Sequence, residues 1–388
     1  MLDLICVSHL RWDFVWQRPQ HLLSRFGKQY RIFFVEEPIA VEADQTARLE
    51  IRQEPNNVTV VRMLQPMKEP RWIGHNDPLT MVRYEILLKE YLKQAGVKNP
   101  VMWLYTPMAW HFADTIPHQL LIYDVMDELS AFKGANTKLR DYDKKMLSKA
   151  DIVFTGGLSL YQSRRESNPH TYLFPSGVEI EHFATAAKRS SYACPEELAA
   201  LKSPILGYFG VIDERMDLQL LAVMAEARPD WQIVLIGPTA KIAPEELPQA
   251  PNLHYLGMKN YKELPAYLAY FDVALVPFAI NEATRYLSPT KTLEYMAAHK
   301  PIVSTPIRDI EALYSGVVRI AGSCEDFITQ VEAALQSDPA ERRAKEHQLL
   351  EKYTWDGIVQ RMQQLIENKL EKKPVRAQEE AHEVSKWA

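Results

Sequence analysis

The segment RYLSPTKTLEYMAAHKPIVS, residues 285–304, predicts a helix followed by a short buried strand. Ser288 is a good N-cap residue, and Pro289 suits the first helical position because its missing N–H costs nothing there. We therefore expect a helix over 289–298 and a strand over 302–304. A helix that leads into a short apolar strand is typical of an α/β domain with a parallel sheet.

Lys291 falls in the first turn of this predicted helix. A cation there opposes the helix dipole, so its presence is easier to explain if an anion such as phosphate also binds at the exposed N–H groups. Glu294 lies on the same side of the helix, one turn deeper, where its carboxylate could accept hydrogen bonds from sugar hydroxyls. The pair predicts a nucleotide site. The alternative is a capped surface helix with a weak Lys–Glu ion pair.

Length and charge limit the classes of function that the chain can have. The 388 residues are enough for about two domains, and a net charge of −5 gives no basic field, which argues against a nucleic-acid partner. The three cysteines are widely spaced and form no Cys-x-x-Cys pair. They therefore indicate neither a zinc site nor a disulfide framework.

The start of the chain, MLDLICV, differs from the basic and then apolar leader of a secreted protein. No run approaches the roughly 20 apolar residues that a membrane helix needs. We therefore expect a cytoplasmic protein, with membrane contact that is at most peripheral and at the inner membrane face. The candidate segment for such contact is KEPRWI, residues 68–73, and a solvated loop is the alternative.

Both halves of the chain alternate strand-like and helix-like segments, which predicts two doubly wound parallel sheets with helices on both faces. In the first half we expect strands over 2–8, 30–35, 101–105, 120–124 and 151–155, and helices over 19–28, 79–95 and 136–149. In the second half we expect strands over 205–209, 231–236, 253–256, 273–277, 302–304 and 317–320, and helices over 218–227, 263–270 and 289–298.

A polar, alanine-rich stretch separates the halves and predicts a linker. The expected organisation is an N-terminal domain over 1–183, the linker over 184–202, a C-terminal domain over 203–353, a terminal helix over 354–370 and a loose charged tail over 371–388. Two such domains bind ligands in the cleft outside the carboxyl ends of their strands. Neither half has Gly-x-Gly-x-x-Gly after a strand, which counts against a nicotinamide or flavin dehydrogenase.

The first strand of the second half is followed by a candidate ligand loop, GYFGVIDERMD, residues 207–217. Gly210 allows a ligand to approach the backbone closely, and Arg215 could contact a diphosphate. A single glycine at a strand end is also common in ordinary turns, so that alternative stays open.

With these segments in view, the second half resembles the donor domain of GT-B glycosyltransferases, in particular bacterial transferases that build cell-surface polysaccharides. The likeness rests on GYFGVIDE (207–214), LIGP (235–238), NLHYLG (252–257), YKELPAY (261–267), FDVALVPF (271–278) and the segment 285–304. It extends into the first half through WDFVWQRPQHL (12–22) and FPSGVE (174–179).

The resemblance implies an α/β protein of the GT-B type, in which two Rossmann-like domains face a cleft and a terminal helix crosses back to the first domain. The N-terminal domain would bind the acceptor and the C-terminal domain the donor. In this family the segment equivalent to 257–261 lies near the nucleobase, and the helix equivalent to 289–298 contacts phosphate and ribose. The expected donor-binding residues are Gly210, Arg215, Gly237, Gly257, Tyr261, Ser288, Pro289, Thr290, Lys291 and Glu294.

The resemblance also implies that a nucleoside-diphosphate sugar is the co-substrate, with a UDP-sugar favoured, and that no cofactor or metal is bound. No Asp-x-Asp triplet stands near a strand end in the second half. Many retaining members carry two glutamates separated by seven residues. The second matches Glu294 but the first falls on Tyr286, so retention or inversion stays open. The segment 288–291 instead resembles transferases in which a lysine holds the donor phosphates.

Inversion needs a base that deprotonates the acceptor hydroxyl, and we expect it in the first half. His9 follows the first strand and has a suitable ordinary pKa, while Asp124 and Asp127 follow a later strand. Asp13 is a further candidate. The alternative for each is a structural role, because His and Asp at strand ends commonly cap helices or turns.

Trp12, Trp16, Arg18 and His21 form an aromatic and basic cluster that could bind an acceptor sugar or a lipid-linked pyrophosphate, although the tryptophans could equally be packing residues. The sequence thus predicts transfer of a sugar from a nucleotide sugar to a glycan or lipid-linked acceptor in cell-surface polysaccharide biosynthesis. Two alternatives remain: a nucleotide-sugar epimerase, and a non-catalytic scaffold subunit that binds nucleotide sugars.

Overall fold

A nine-stranded sheet forms the core of the N-terminal domain. The computed structural model describes residues 1–69, 71, 73–75 and 77–372. The strands are β1 (Leu2–Val7), β2 (Tyr30–Val35), β3 (Ile39–Val41), β4 (Arg48–Glu54), β5 (Val58–Pro66), β6 (Val101–Leu104), β7 (Leu120–Val125), β8 (Ile152–Thr155) and β9 (Thr171–Leu173). Their order is β3-β5-β2-β1-β6-β7-β8-β9, all parallel, while β4 pairs antiparallel with β5.

Helices cover both faces of this sheet, so its central strands are buried on both sides and read as continuous apolar runs. The helices are α1 (Arg18–Phe26), α2 (Pro78–Gln94), α3 (Trp110–Thr115), α4 (Leu139–Lys149) and α5 (Leu158–Arg164). Two apolar cores, one on each face of the sheet, hold them in place.

Two short helices, α6 (Ile180–Ala184) and α7 (Glu196–Ala199), lead into the second domain. They occupy the stretch around the predicted linker, yet Phe183, Ala186 and Leu198 are buried in the core of the C-terminal domain. The structure therefore joins this stretch to the second domain. Its polar surface residues suggested a linker, but its spaced apolar residues anchor it.

The C-terminal domain contains a six-stranded parallel sheet in the order β12-β11-β10-β13-β14-β15, which is the strand order of a Rossmann fold. Its strands are β10 (Ile205–Phe209), β11 (Gln232–Ile236), β12 (Leu253–Tyr255), β13 (Val273–Val276), β14 (Ile302–Ser304) and β15 (Arg319–Ile320). Its helices are α8 (Leu218–Ala227), α9 (Leu264–Tyr270), α10 (Lys291–Ala297), α11 (Arg308–Tyr314), α12 (Cys324–Leu335) and α13 (Ala340–Lys352). The predicted pair of doubly wound sheets is confirmed.

Helix α14 (Trp355–Lys372) returns to the N-terminal domain. The buried residues of α14 pack in one core with Leu22, Leu23 and Phe26 of α1. The residues that α14 contributes are Trp355, Ile358, Val359, Met362 and Ile366. Of the predicted tail, residues 373–388 lie outside the described residues.

The chain crosses between the domains at two adjacent points. The Val178 N–H donates a hydrogen bond of 2.8 Å to the Tyr353 carbonyl, so the outgoing and returning strands run side by side. Gly177 is required at this point, because a Cβ there would lie 2.9 Å from both the Tyr353 carbonyl oxygen and the Trp355 nitrogen.

The start of α10 differs from the prediction. The helix begins at Lys291, and its N-cap is Thr290, which has helical dihedrals (φ −61°, ψ −38°) and no side-chain cap. The first turn is closed by a short-range bond from the Leu293 N–H to the Thr290 carbonyl (3.1 Å). The assignment of Ser288 as the N-cap was therefore wrong. Its side chain instead lies against Gly157 of the other domain, where an added Cβ would be 2.8 Å from Ser288 Cβ.

Candidate functional site

The carboxyl ends of both sheets face one cleft of about 970 Å³ between the domains. Its N-terminal wall comes from the segment after β1, with further residues after β7 and β8. Its opposite wall comes from the segments that follow β10, β11, β12 and β13 and from the start of α10. This is the place where facing doubly wound domains bind ligands.

Glycines remove side chains from the C-terminal wall. Gly210 (φ +145°) and Gly237 (φ +150°) have backbone conformations that other residues rarely adopt. A Cβ on Gly237 would lie 1.9 Å from the Gly210 carbonyl oxygen, and a Cβ on Gly210 would lie 2.7 Å from Lys291 Cε. The two glycines thus let the backbone and the Lys291 side chain pack closely, and both glycines line the cleft beside Lys291. Gly257 (φ +66°) accepts a hydrogen bond from the Gly237 N–H (2.8 Å) and precedes the lining segment 258–264.

Lys291 and Glu294 both line the cleft, as do Ser288, Pro289 and Thr290. The Lys291 ammonium lies 5.3 Å from the ring centroids of Tyr208 and Phe278, which hold it by cation–π contact. Removal from water, reinforced by Arg215, lowers the pKa of Lys291. Removal from water also raises the pKa of Glu294. A cation and a carboxylate that are both poorly hydrated face the same space.

Arg215 reaches across the cleft. Its guanidinium donates three hydrogen bonds to Asp213 (Nε–Oδ1 2.9 Å, Nε–Oδ2 3.1 Å, Nη2–Oδ2 2.6 Å), and its Nη1 lies 3.9 Å from Asp127 Oδ1 of the opposite wall. Removal from water raises the pKa of Asp127, and Arg215 opposes that rise. Arg215 therefore connects the expected donor side to a carboxylate of the N-terminal domain.

Asp124 was expected as a base and Arg18 as an acceptor ligand, but they bind each other. Arg18 Nε lies 3.1 Å from both Asp124 carboxylate oxygens, and the side chains are 1% and 0% exposed. A fully buried carboxylate whose two oxygens are engaged by a guanidinium is inaccessible to an acceptor hydroxyl. The structure thus gives the pair a structural role, which also includes a bond from Arg18 to the Phe174 carbonyl (2.8 Å).

The other candidate bases occupy different positions. His9 is not among the lining residues, and burial, together with Lys241, lowers its pKa to about 4, which makes it a weak base. Asp13 lines the cleft but forms an ion pair with Arg52 (2.5 Å and 2.7 Å). Asp127 lines the cleft and its pKa is raised, so it best meets the requirements for a base.

The predicted acceptor cluster is only partly at the surface. Trp12 is 5% exposed and packs against Phe34 at 5.1 Å, and His21 is 2% exposed and stacks on Trp355 at 4.6 Å. Trp16 alone of the four is well exposed. The packing alternative is therefore the better account of Trp12 and His21.

Several lining residues were missed by the sequence analysis. Phe14 lies inside the quoted motif at 12–22 and Glu179 ends the quoted motif at 174–179, so both could have been found there, whereas Glu54 and His182 carry no local signal. Tyr261, which was expected near the nucleobase, stacks on His182 at 4.5 Å and lies 5.4 Å from His21. It thus occupies the junction of the two domains.

Within the described part of the chain, no three His, Cys, Asp or Glu side chains are grouped so that they could hold a metal ion. Nor, over the same residues, is any helix long and apolar enough to cross a membrane.

Two facing Rossmann-like domains with a terminal helix that crosses back define the fold of the GT-B glycosyltransferases. Residues 203–337, which form most of the C-terminal domain, match the family described as Glycosyl transferases group 1. A curated relative, the putative teichuronic acid biosynthesis glycosyltransferase TuaH of Bacillus subtilis (strain 168), is 29% identical over 201 residues. That match covers 48% of this chain and about half of the relative's length.

Solved structures resemble nearly the whole chain. Sucrose-phosphate synthase of Thermosynechococcus elongatus has a TM-score of 0.72 at 14% identity and covers 95% of this chain and 99% of its own. An α,α-trehalose-phosphate synthase (UDP-forming) of Burkholderia vietnamiensis has a TM-score of 0.69 at 15% identity, and the match covers 96% of this chain and 100% of that chain. Anabaena HepE, in complex with UDP and glucose, has a TM-score of 0.65 at 12% identity, and the match covers 95% of this chain and 100% of that chain. At these identities the likeness shows the fold, and the predicted GT-B architecture is confirmed.

Proposed function

We propose that this protein is a glycosyltransferase that moves a sugar from a nucleoside-diphosphate sugar to a glycan or lipid-linked acceptor in cell-surface polysaccharide biosynthesis. The observation that carries the proposal is Lys291 beside the bare backbone of Gly210 in the cleft. An ammonium next to an open glycine backbone suits a diphosphate, and Glu294 on the same helix suits the hydroxyls of a sugar or ribose.

UDP is the favoured nucleotide. Supporting it are the UDP-forming synthase and the UDP complex among the similar structures, and the polysaccharide pathway named for the Bacillus relative supports the proposed pathway. We further propose that no metal or other cofactor takes part. Lys291 and Arg215 would then supply the positive charge that the leaving diphosphate needs.

In the proposed reaction an acceptor hydroxyl oxygen forms a bond to the anomeric carbon, and the bond from that carbon to the diphosphate oxygen breaks. The nucleoside diphosphate leaves with the electron pair, beside Lys291. In an inverting reaction Asp127 takes the hydroxyl proton from the opposite wall, where its raised pKa favours proton uptake. The stereochemical course stays open, since Tyr286 stands where many retaining members have a glutamate.

Nucleotide binding tests the proposal first. Thermal shift is measured with UDP, GDP, ADP, CMP and NAD, each with and without magnesium, because a ligand of the native state raises the melting temperature. We expect a shift that is selective for UDP and independent of magnesium. A shift with NAD alone, or with no nucleotide, would contradict the proposal.

Asp127→Asn tests the base. We expect UDP affinity to stay unchanged while transfer slows by about 100-fold or more, because the amide cannot accept the proton. Asp141→Asn is the matched control, since that carboxylate is exposed on α4 and does not line the cleft. Full activity of Asp127→Asn would move the base to another residue.

Two rival functions predict different products. An epimerase would convert a sugar nucleotide with no acceptor present, and a scaffold subunit would bind UDP but turn over no donor with any acceptor. Chromatography of UDP-sugars after incubation with and without glycan acceptors separates the three. We expect UDP release that depends on an acceptor.

Peripheral contact with the inner membrane face is also part of the proposal. Leu79, Val82 and Ile86 form one stripe along α2 and are 87%, 51% and 60% exposed, and Arg83 and Lys89 flank them. Of the segment 68–73 expected to make such contact, Pro70 and Trp72 lie outside the described residues. Flotation with phosphatidylglycerol vesicles tests the stripe: Ile86→Glu should abolish co-flotation, and Glu90→Gln should not. Unchanged flotation of Ile86→Glu would contradict it.

A further inference from the structure

The two walls of the cleft carry different charges. On the C-terminal wall cations predominate: Arg215, Lys259, Lys262 and Lys291 stand against Glu263 and Glu294. Carboxylates predominate on the N-terminal wall, to which we add Glu179, the residue that follows the first crossing at Val178. The charged lining residues there are the carboxylates Asp13, Glu54, Asp127 and Glu179 and a single cation, Arg18. A diphosphate therefore suits one wall only.

The arginines around the N-terminal wall are already engaged by carboxylates. Arg18 is buried against Asp124. Arg52 lies between Asp13 and Glu54, at 2.5 Å and 2.6 Å. Arg25 likewise contacts both Glu179 (2.8 Å) and Asp356 (3.1 Å). Among the described lining residues, this wall thus offers no unengaged lysine or arginine to a phosphate or carboxylate group.

The same wall presents two exposed rings. Phe14 is 41% and Trp16 is 39% exposed in the cleft. The Trp16 indole N–H donates to His21 Nδ1 (3.2 Å), and its ring meets Trp12 edge-on at 6.1 Å, so its orientation is fixed before any ligand arrives. Fixed aromatic faces beside carboxyl side chains suit a sugar ring, whose C–H face stacks and whose hydroxyls donate hydrogen bonds.

We propose that this wall binds the uncharged sugar end of a glycan acceptor, with Phe14 and Trp16 as the stacking surface and Asp13 and Glu54 as specificity-determining hydrogen-bond acceptors. Phosphorylated sugars and uronic acids are rejected, because their negative charge meets carboxylates and no unengaged cation. The inference rests on the proposed function and narrows its acceptor class. Where the acceptor is lipid-linked, its pyrophosphate lies outside this part of the cleft.

The test measures sugar binding by calorimetry on the full chain with UDP present. The probes are maltose, lactose and N,N′-diacetylchitobiose, set against glucose 6-phosphate and glucuronic acid. We expect at least one neutral sugar to bind about tenfold or more tightly than both anions. Trp16→Ala and Phe14→Ala should each lower the affinity for that sugar by about tenfold, because each variant loses one stacking ring. Neither variant should change the affinity for UDP. Ile280→Ala, an exposed apolar truncation that does not line the cleft, is the control.

Charge reversal provides an independent measurement. Glu54→Lys should raise the affinity for glucose 6-phosphate by about tenfold, while Glu54→Gln, the conservative partner, should change it less. Tighter binding of either anion than of every neutral sugar by the wild type, or no binding of any neutral sugar, would overturn the inference. Failure of UDP itself to bind counts against the proposed function. In that case the sugar titration is repeated without nucleotide. Failure of the proposed function, seen as no UDP binding, is thus distinguished from failure of the inference, seen as no preference for neutral sugars.

Discussion

Lys291 is the residue on which donor binding should depend most directly. Its ammonium sits beside Gly210 and is poorly hydrated, so a charged hydrogen bond to a diphosphate there is worth up to about 3 kcal/mol. We predict that Lys291→Ala weakens UDP binding by that amount at most, measured by calorimetry. Lys352→Ala, exposed on α13, is the control. Unchanged UDP affinity in Lys291→Ala would remove Lys291 from the site.

The lowered pKa of Lys291 gives donor binding a pH dependence. Because the folded-state pKa lies below the usual lysine value, the ammonium loses its proton at lower pH than an ordinary lysine does. Since the diphosphate needs the charged form, UDP affinity should fall as pH rises through this pKa. Lys291→Arg keeps its charge and should remove this fall. Titrations from about pH 6 to about pH 10 check it, and a wild-type affinity that does not fall would contradict it.

At this scale the sequence was informative where the signal was local. Lys291, Glu294 and Gly210 stand out by their positions at a helix start or a strand end, and the structure brings all three to the cleft. Arg18 and Asp124 were misjudged because each is neutralised by a partner 106 residues away, which no local pattern reveals.

Among the elements, the predicted strands are present with ends that differ by one or two residues, because buried parallel strands are continuous apolar runs. Strands β3, β4, β5 and β9 were missed, as were helices α3, α5, α11 and α12. Strand β4 is polar and largely exposed, so it lacks an apolar run. The sequence does carry a signal for the hairpin between β4 and β5, which is the pair Asn56-Asn57. A tight hairpin turn requires positive φ, which asparagine tolerates, and the two residues have φ of 59° and 55°.

Helix α14 completes the core of the N-terminal domain, so its apolar face should determine that domain's stability. Ile358 is fully buried in the core shared with α1. We predict that Ile358→Ala lowers the free energy of unfolding by about 3 kcal/mol, as for other large-to-small core changes. Urea unfolding measures it, with the exposed Gln364→Ala as the control on the same helix. Equal stability of the two variants would show that α14 is not part of the core.

At the scale of the whole molecule, a carboxylate of one domain holds the other. Asp309 of α11 is 1% exposed and accepts hydrogen bonds from the backbone N–H groups of Leu158 (2.7 Å) and Ser159 (3.0 Å) at the start of α5. A second contact joins Glu214 to the Lys133 N–H (3.1 Å). The cleft is thus closed by these polar contacts and by the packing of Tyr286 against the core of the N-terminal domain.

Asp309→Ala should shift the molecule toward an open arrangement of the two domains. Asp309 accepts hydrogen bonds from the N–H groups at the start of α5 only when the domains are closed, so the substitution destabilises the closed form and leaves the open form unchanged. We expect a larger radius of gyration by X-ray scattering and a higher KM for the donor, with the melting temperature little changed. Glu311→Ala, exposed on the same helix, is the control. Identical scattering of the wild type and Asp309→Ala would show that this contact does not hold the domains closed.

The paired crossings at Val178 and Tyr353 make the C-terminal domain an insertion within the N-terminal one. During synthesis, the sheet from β1 to β9 must leave the ribosome without the helix that covers α1. The inserted domain can complete its own core before Ile358 and Ile366 have been made. The N-terminal sheet is therefore synthesised before the inserted domain but finishes folding after it, and until then its exposed apolar surface is a target for chaperones.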